Sequence, residues 1–556
     1  MADPIVAPSP QTSADKHFER VAAERFTALM ARYPVYATFL GLHEHDGELG
    51  DASRDALLAA TQATRAFLGE LERIDPASLS PYYATERELA LFVTRGDLFD
   101  AEVHRVWERK AAASDEIGDG IFLLLARGGR PLEERLDSIA SRLEAAPRHL
   151  LESRSRLGER RPVRLWNEME LEAVESLPML FDEVAGAARH EFGERHRETR
   201  RIENGSAATR TALDDYAAWL KTQIARGTDE FALGSADYDT LVGLRAFDGL
   251  STDDILAIGE EQLAAEREAR MQVAHEIDPA ASEQEVVDRV KADHAPDFAA
   301  ALDEYRTAMA EARQFVIDRD LLTLPPGEHL NVIETPDYLR AVLPFAAYYA
   351  PAKFDVGAAR QGLYVVTPSV DGDPRAMREH NHASIYNTSI HEAYPGHHVQ
   401  LAAANEHPSL VRQLVDAPEF VEGWAMYCEL MMREQGFDTA PSHRLMMHTD
   451  AAWRACRIII DIKLQRGQIG VDEATDFLVE QTRFERPQAA AEVRWYTYRP
   501  TYPMSYLLGR TLLLRLREDE QKRLGATFSL RSFHDALLYQ GGLPISFQRR
   551  LLAAGG

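Results

Sequence analysis

The stretch His391-Glu-Ala-Tyr-Pro-Gly-His-His398 sets a proline and a glycine between histidines in otherwise helix-forming sequence. Proline removes a helical hydrogen bond and clashes with the preceding turn, while glycine accepts unusual dihedrals. A helix carrying His391 therefore has to break around Ala393–Gly396. On an unbroken helix, seven residues would hold His391 and His398 roughly 10 Å apart, too far to share one ion. A bulge at Ala393–Gly396 would return the second histidine toward the first. Twenty-four residues after His398 comes Glu422, within Val-Glu-Gly-Trp-Ala-Met-Tyr. Two imidazoles and a carboxylate are a ligand set that catalytic zinc uses while keeping one position open. Glu392, beside the first imidazole, is placed to take a proton from water attacking a carbonyl. The expected site is one Zn²⁺ held by His391, His398 and Glu422, with Glu392 as general base; zinc is a preference set by ligand type.

The familiar His-Glu-x-x-His spacing sets two histidines one helical turn apart. Here the fourth residue after His391 is Pro395. Adjacent helical residues point about 100° apart, so only one of His397 and His398 is expected to bind. The spacing from His398 to Glu422 matches that of helical angiotensin-converting-enzyme-like zinc peptidases, and His398-Val-Gln resembles the end of their motif. This favours His398 and leaves His397 to orient a neighbour or contact substrate. Glu422 is preferred over Glu429 because Gly423-Trp424 follows it, resembling the Glu-Gly of those peptidases. Glu429, two turns on and on nearly the same face, is expected to support a ligand imidazole.

Beyond this segment, helical periodicity dominates. Helices are expected over 15–33, 52–75, 83–113, 130–157, 163–227, 250–275, 283–318 and again from 384 onward. Ser251 and Thr252 are candidate caps before Asp253 and Asp254. Leu330–Glu334 and Gly362–Thr367 read as strands. The fold class expected is mainly α, a large two-lobed helical metallopeptidase-like fold around a cleft, with a small β-sheet near the metal helix. Residues 1–14 read as a disordered leader and 15–556 as one domain, with a helical lobe at about 15–230 and a metal-site lobe at about 231–556. A sheet edge near the metal helix would suit an extended peptide.

Acidic residues outnumber basic ones 89 to 62, a formal net charge of −27. Such a surface repels phosphate backbones, so nucleic acid is not an expected partner. The two cysteines, Cys428 and Cys456, exclude a disulfide framework and read as buried small hydrophobes. No run of about 18 uncharged apolar residues is present, so no membrane span is expected. The N-terminus lacks the pattern of a signal peptide. A soluble cytoplasmic protein is the expectation.

The segments His391–Gln400, Glu422-Gly-Trp-Ala-Met-Tyr, Arg457…Asp461, Glu492-Val-Arg…Tyr496…Pro500, and Ser505-Tyr506…Gly509 together resemble the bacterial domain of unknown function 885. The resemblance runs from about residue 15 over nearly the whole chain. It implies a helical zinc metallopeptidase, an assignment made for that family largely by analogy. Two departures stand out. The family commonly has Pro-Gly-Gln-Ala before its Ser-Tyr, where this chain has Pro500-Thr-Tyr-Pro-Met504. It commonly has Leu-His where this chain has Leu464-Gln465. Both changes bear on substrate choice rather than on the metal ligands.

Water attack on an amide creates an oxyanion that needs a donor. Tyr506 is the first candidate because it matches the family pattern, followed by Tyr496 and Tyr502. Arg510 is a candidate for binding a substrate carboxylate or for pairing with an acid. Arg457 and Asp461, four apart on a helix, are expected to pair. The expected function is zinc-dependent hydrolysis of short peptides, of carboxypeptidase or oligopeptidase type. A metal-dependent hydrolase of another amide or ester is the first alternative. A non-catalytic helical protein that binds peptides or acts as a scaffold is the second. Oligomeric state is left open by the sequence.

Overall fold

Thr12 opens the first helix, Ser13–Arg32, with a capping box that Asp15 closes. The leader expected over 1–14 therefore gives way to helix at Ser13. The computed structural model describes residues 8–127, 130–158, 160–335, 346–355, 361–368 and 376–555, so the leader's first seven residues lie outside the described residues. The chain is mainly helical, as expected. The helix-favouring stretch 163–227 forms two helices of 29 residues each, Arg164–Phe192 and Arg197–Ala225. Residues 83–113 are a helix, Pro81–Phe99, that runs on into a π-helical turn at Asp100–His104. Ser251 caps Thr252–Ile277 through a box with Asp254.

Two large cores carry the fold. One gathers side chains from Val35 to Leu220, including Ile117, Leu136, Phe181 and Tyr216. The other runs from Tyr238 to Leu552 and holds Trp424, Tyr427, Cys428, Cys456 and Leu508. Burying each large apolar side chain contributes about 1.5–3 kcal/mol. Both cysteines are buried and free. The Trp166 indole donates to Thr497 Oγ1 at 2.9 Å and ties the first half of the chain to the last. Among the described residues, no helix is long and apolar enough to cross a membrane.

A three-stranded sheet lies against the helix that carries His398. It comprises β1 (Leu330–Glu334), β2 (Ala346–Tyr349) and β3 (Gly362–Val366), in the order β1-β3-β2. β3 pairs parallel with β1 and antiparallel with β2. β1 lies where the sequence placed a strand, and β3 ends one residue short of the expected Thr367. β2 was not foreseen. Its Ala-Ala-Tyr-Tyr is too short to display an alternation.

The helices Pro418–Glu434 and Ser505–Leu524 cross backbone to backbone. A Cβ added at Gly509 would sit 1.8 Å from the Glu419 carbonyl oxygen, and one at Gly423 would sit 2.5 Å from the Gly509 backbone. Only glycine permits this approach. It fixes Glu422 beside the turn that precedes Ser505.

Candidate metal centre

Asn381 caps the helix His382–Glu392, and the next helix begins at His397. Between them the Tyr394–Pro395 peptide is cis. Gly396 N–H reaches back to the Ile390 carbonyl at 3.1 Å. A Cβ on Gly396 would lie 1.8 Å from the His391 carbonyl oxygen. The chain can double back only because this residue has no side chain. The break thus lies where the sequence demanded it, and it stacks two imidazoles edge to face with centroids 4.9 Å apart.

Those rings belong to His391 and His397, which corrects the expected choice of His398. The His398 ring is fully buried and faces the sheet side. Its Nε2 lies 3.1 Å from Glu328 Oε2, and its Nδ1 lies 3.1 Å from the Tyr348 hydroxyl. Glu328 also accepts from Tyr394 at 2.7 Å and from Arg313 at 2.8 Å. One residue of helical phase, about 100°, sends the neighbouring ring toward Glu422 instead. Both nitrogens of His398 are engaged, so it is not offered to an ion.

His391 Nδ1 lies 2.7 Å from Glu429 Oε1, which leaves its other nitrogen for a ligand. His397 Nε2 lies 3.3 Å from Glu422 Oε2. One ligand atom from each of His391, His397 and Glu422 falls within 4.8 Å of the others, and all three residues are buried. Tetrahedral zinc with bonds of about 2.0–2.2 Å separates its ligand atoms by about 3.4 Å. The His397–Glu422 separation is already that distance, so the donor set and its spacing fit zinc.

Burial alone would push the Glu422 carboxyl up. The His397 hydrogen bond and charge, the His391 charge and a Tyr502 hydrogen bond bring it down to about 2. Burial likewise opposes the His397 cation, but the Glu422 bond and charge, with Glu392 and Glu429 nearby, raise it above its ordinary value. Glu429 is lowered against its burial by His391, Arg454 and Arg433. Glu422 and Glu429 are thus held as buried carboxylates, each facing an imidazole, as such groups must be to avoid a large desolvation cost.

Glu392 is half-buried, and among the described residues its carboxylate has no hydrogen-bond or ion-pair partner. Tyr506 stands one ring further from the cluster than expected. It packs edge to face on Tyr502 at 6.1 Å, with the Arg457 guanidinium over its ring at 4.5 Å. Tyr502 is the tyrosine at the cluster, its hydroxyl donating to Glu422 Oε1 at 2.8 Å. Burial and the Glu422 charge push that hydroxyl well above its usual pKa, so it stays a donor.

Tyr496 is buried away from the imidazoles. It donates to Glu492 at 2.6 Å and accepts from Arg457 Nε at 2.9 Å. Arg510 is buried and bonded to Glu266 and to Gln262, which removes it as a substrate-binding group. The expected Arg457–Asp461 pair is absent. Arg457 bonds Glu492 at 2.9 Å, and Asp461 Oδ2 accepts from the Thr501 backbone at 2.9 Å. Gln465 donates to the carbonyls of Tyr496 and Thr497 at 3.2 and 3.1 Å, bracing the same turn. Tyr502 also lines a cavity of about 980 Å³ whose walls come from both halves of the chain. Glu328 and Tyr348 carried no signal in the sequence, since nothing local marks a partner 70 and 50 residues away.

The chain belongs to a family described as bacterial protein of unknown function (DUF885), whose model matches residues 34–552. That description carries no activity. Two solved structures share the fold. One is described as "a putative lipoprotein of unknown function from Shewanella oneidensis", with 22% identity and a TM-score of 0.77, covering 96% of this chain and 99% of that one. The other is "the putative lipoprotein from Colwellia psychrerythraea", with 16% identity and a TM-score of 0.83, covering 98% and 99%. No curated protein matches the chain. Both solved structures are described by the words "putative lipoprotein", and that finding overturns the expectation of a cytoplasmic location.

Proposed function

We propose that the chain is a zinc-dependent peptidase that hydrolyses short peptides. The observation that carries this reading is the buried convergence of His391, His397 and Glu422, with ligand atoms within 4.8 Å and Glu429 bonded behind His391. Bound there, the ion would supply Lewis acidity to water and to a substrate carbonyl. Glu392 is the base that accepts the proton from the attacking water and returns it to the leaving amine. The Tyr502 hydroxyl, kept protonated beside Glu422, would turn from that carboxylate to donate to the developing oxyanion. It takes the role first given to Tyr506. The cavity beside Tyr502 is at the upper end of the usual range for small-ligand sites, about 300–1,000 Å³, which suits a short peptide.

The test is elemental analysis of purified protein together with hydrolysis of a library of short peptides and of non-peptide amides and esters. One equivalent of zinc and peptide cleavage are expected. Glu392→Gln should keep the metal and lose cleavage by at least about 10²-fold. Full activity of this variant would remove Glu392 from the mechanism. Cleavage restricted to non-peptide amides or esters would move the substrate class. A metal-free protein that binds peptides uncut would replace the enzyme with a binding protein.

A further inference from the structure

The cavity walled by Tyr502 differs in charge from the rest of the molecule. The chain carries a net charge of −27, yet cations on the cavity wall slightly outnumber carboxylates. Two of the cations are neutralised: Lys110 by Asp115 at 3.3 Å and Arg245 by Asp416 at 2.9 Å. Three arginines make no direct ion pair, although carboxylates lie near each: Asp97 by Arg25, Asp51 and Glu116 by Arg32, and Asp119 by Arg499. Arg25 donates to Thr64 Oγ1, and Arg32 lies over the Tyr33 ring. Arg499 is exposed to the cavity, with its guanidinium 5.8 Å from the centre of the Tyr498 ring. Among the described residues, none of the three has an ion-pair partner. Burial here is real enough to push Asp97, in the same wall, up to about 6 and to lower Arg25. Arg499, by contrast, is exposed to solvent.

Arg499 differs from Arg25 and Arg32 in where it sits. Tyr502 N–H closes a turn onto the Arg499 carbonyl at 3.2 Å, so the cavity's free guanidinium and the tyrosine on Glu422 share one turn. That turn is fixed from beneath. Thr501 is buried with φ of +69°, an uncommon conformation for a β-branched residue, and its N–H is held by the buried Asp461. A cation on a rigid turn loses little freedom when it binds, and a guanidinium matches a carboxylate with two parallel hydrogen bonds.

We infer that this cavity is the substrate chamber of the metal centre and that Arg499 is a specificity-determining residue that binds a carboxylate on the substrate. The carboxylate comes from the C-terminus of a short peptide or from an acidic side chain near that end. The inference rests on the peptidase reading for its substrate, but not for its measurement.

The experiment is equilibrium binding of N-terminally fluorescein-labelled pentapeptides to the full chain, followed by anisotropy, with three endings. These are alanine with a free carboxylate, alanine carboxamide, and glutamate carboxamide. The variants are wild type, Arg499→Gln and Arg499→Lys. Wild type should bind the free-acid peptide about 10- to 100-fold tighter than the alanine carboxamide, the range of a charge-assisted pair. Arg499→Gln should erase that preference without changing carboxamide binding, and Arg499→Lys should restore part of it. Tight binding of glutamate carboxamide, lost in Arg499→Gln, assigns the site to an acidic side chain; weak binding assigns it to the chain end. Equal affinity of wild type for all three endings, absence of binding, or an unchanged preference in Arg499→Gln overturns the inference. Each readout stands whether or not any peptide is cleaved, so a failed peptidase reading is told apart from a failed carboxylate site.

Discussion

Replacing His397 and His398 one at a time separates the two imidazoles that the sequence leaves side by side. His397→Ala removes one of three ligands. Structural zinc sites with four ligands bind with about 10–16 kcal/mol, or roughly 2.5–4 kcal/mol per ligand. The loss of one ligand should therefore weaken zinc binding by about 10²–10³-fold. His398→Ala leaves His391, His397 and Glu422 in place. It removes one hydrogen bond from buried Glu328 and one from Tyr348, while Arg313 and Tyr394 continue to hold Glu328. Losing a hydrogen bond to a buried carboxylate costs about 1.5–3 kcal/mol. Zinc affinity is read by competition with a chromophoric chelator, and stability by urea unfolding of metal-free protein. The expected pattern is loss of metal with modest destabilisation for His397→Ala, and near-normal metal affinity with clear destabilisation for His398→Ala. Zinc affinity abolished by His398→Ala and retained by His397→Ala would refute the assignment.

Two further outcomes follow from the same contacts. Glu429→Gln should weaken zinc binding about 10- to 100-fold in the chelator competition, because the His391 ring loses the carboxylate that orients it. His43 bridges Asp46 and Asp355, each at 2.9 Å, and the hydrogen bonds to Asp355 and then Asp46 raise it to about 9 against its partial burial. A raised imidazole stabilises the fold fully below its unfolded pKa of about 6.5, and that contribution fades as pH rises through 9. The wild-type unfolding midpoint should therefore fall from pH 6.5 to 9.5 by more than that of His43→Gln; parallel pH profiles would remove the bridge as a cause.

Much of the local architecture was legible because local chemistry decides it. Ser251 and Thr252 announce a helix cap, and the structure places it on Ser251, closed as a box by Asp254. Leu330–Glu334 and Gly362–Thr367 announce strands between turns, and strands form there, the second ending at Val366. Pro395 and Gly396 announce a break, and the chain breaks between Glu392 and His397. What failed was decided at long range. Arg457 and Asp461 have the spacing of a helical pair, worth only about 0.2–0.5 kcal/mol. Buried partners with stronger claims, Glu492 and Tyr496 on one side and the Thr501 N–H on the other, take them instead. Tyr506 matched a pattern, but it belongs to the helix Ser505–Leu524, whereas Tyr502 sits in the preceding turn that the Gly423–Gly509 crossing presses against Glu422.

The choice between His397 and His398 shows where sequence reasoning reaches its end. A break between two ligands tells that a second histidine can return, but not the phase with which the next helix starts. Beginning that helix at His397 turns one ring to Glu422 and its neighbour to Glu328. Had the helix begun one residue later, a rotation of about 100° would have exchanged their surroundings. Each imidazole is buried and needs a carboxylate or an ion, so the pair acts as a fork whose tines are sorted by which acid each meets. Glu328, upstream of β1 and held by Arg313 and Tyr394, claims His398 on the sheet side. Which imidazole joins His391 and Glu422 is thereby decided by an acid outside the cluster, through a contact spanning 70 residues that no local spacing encodes.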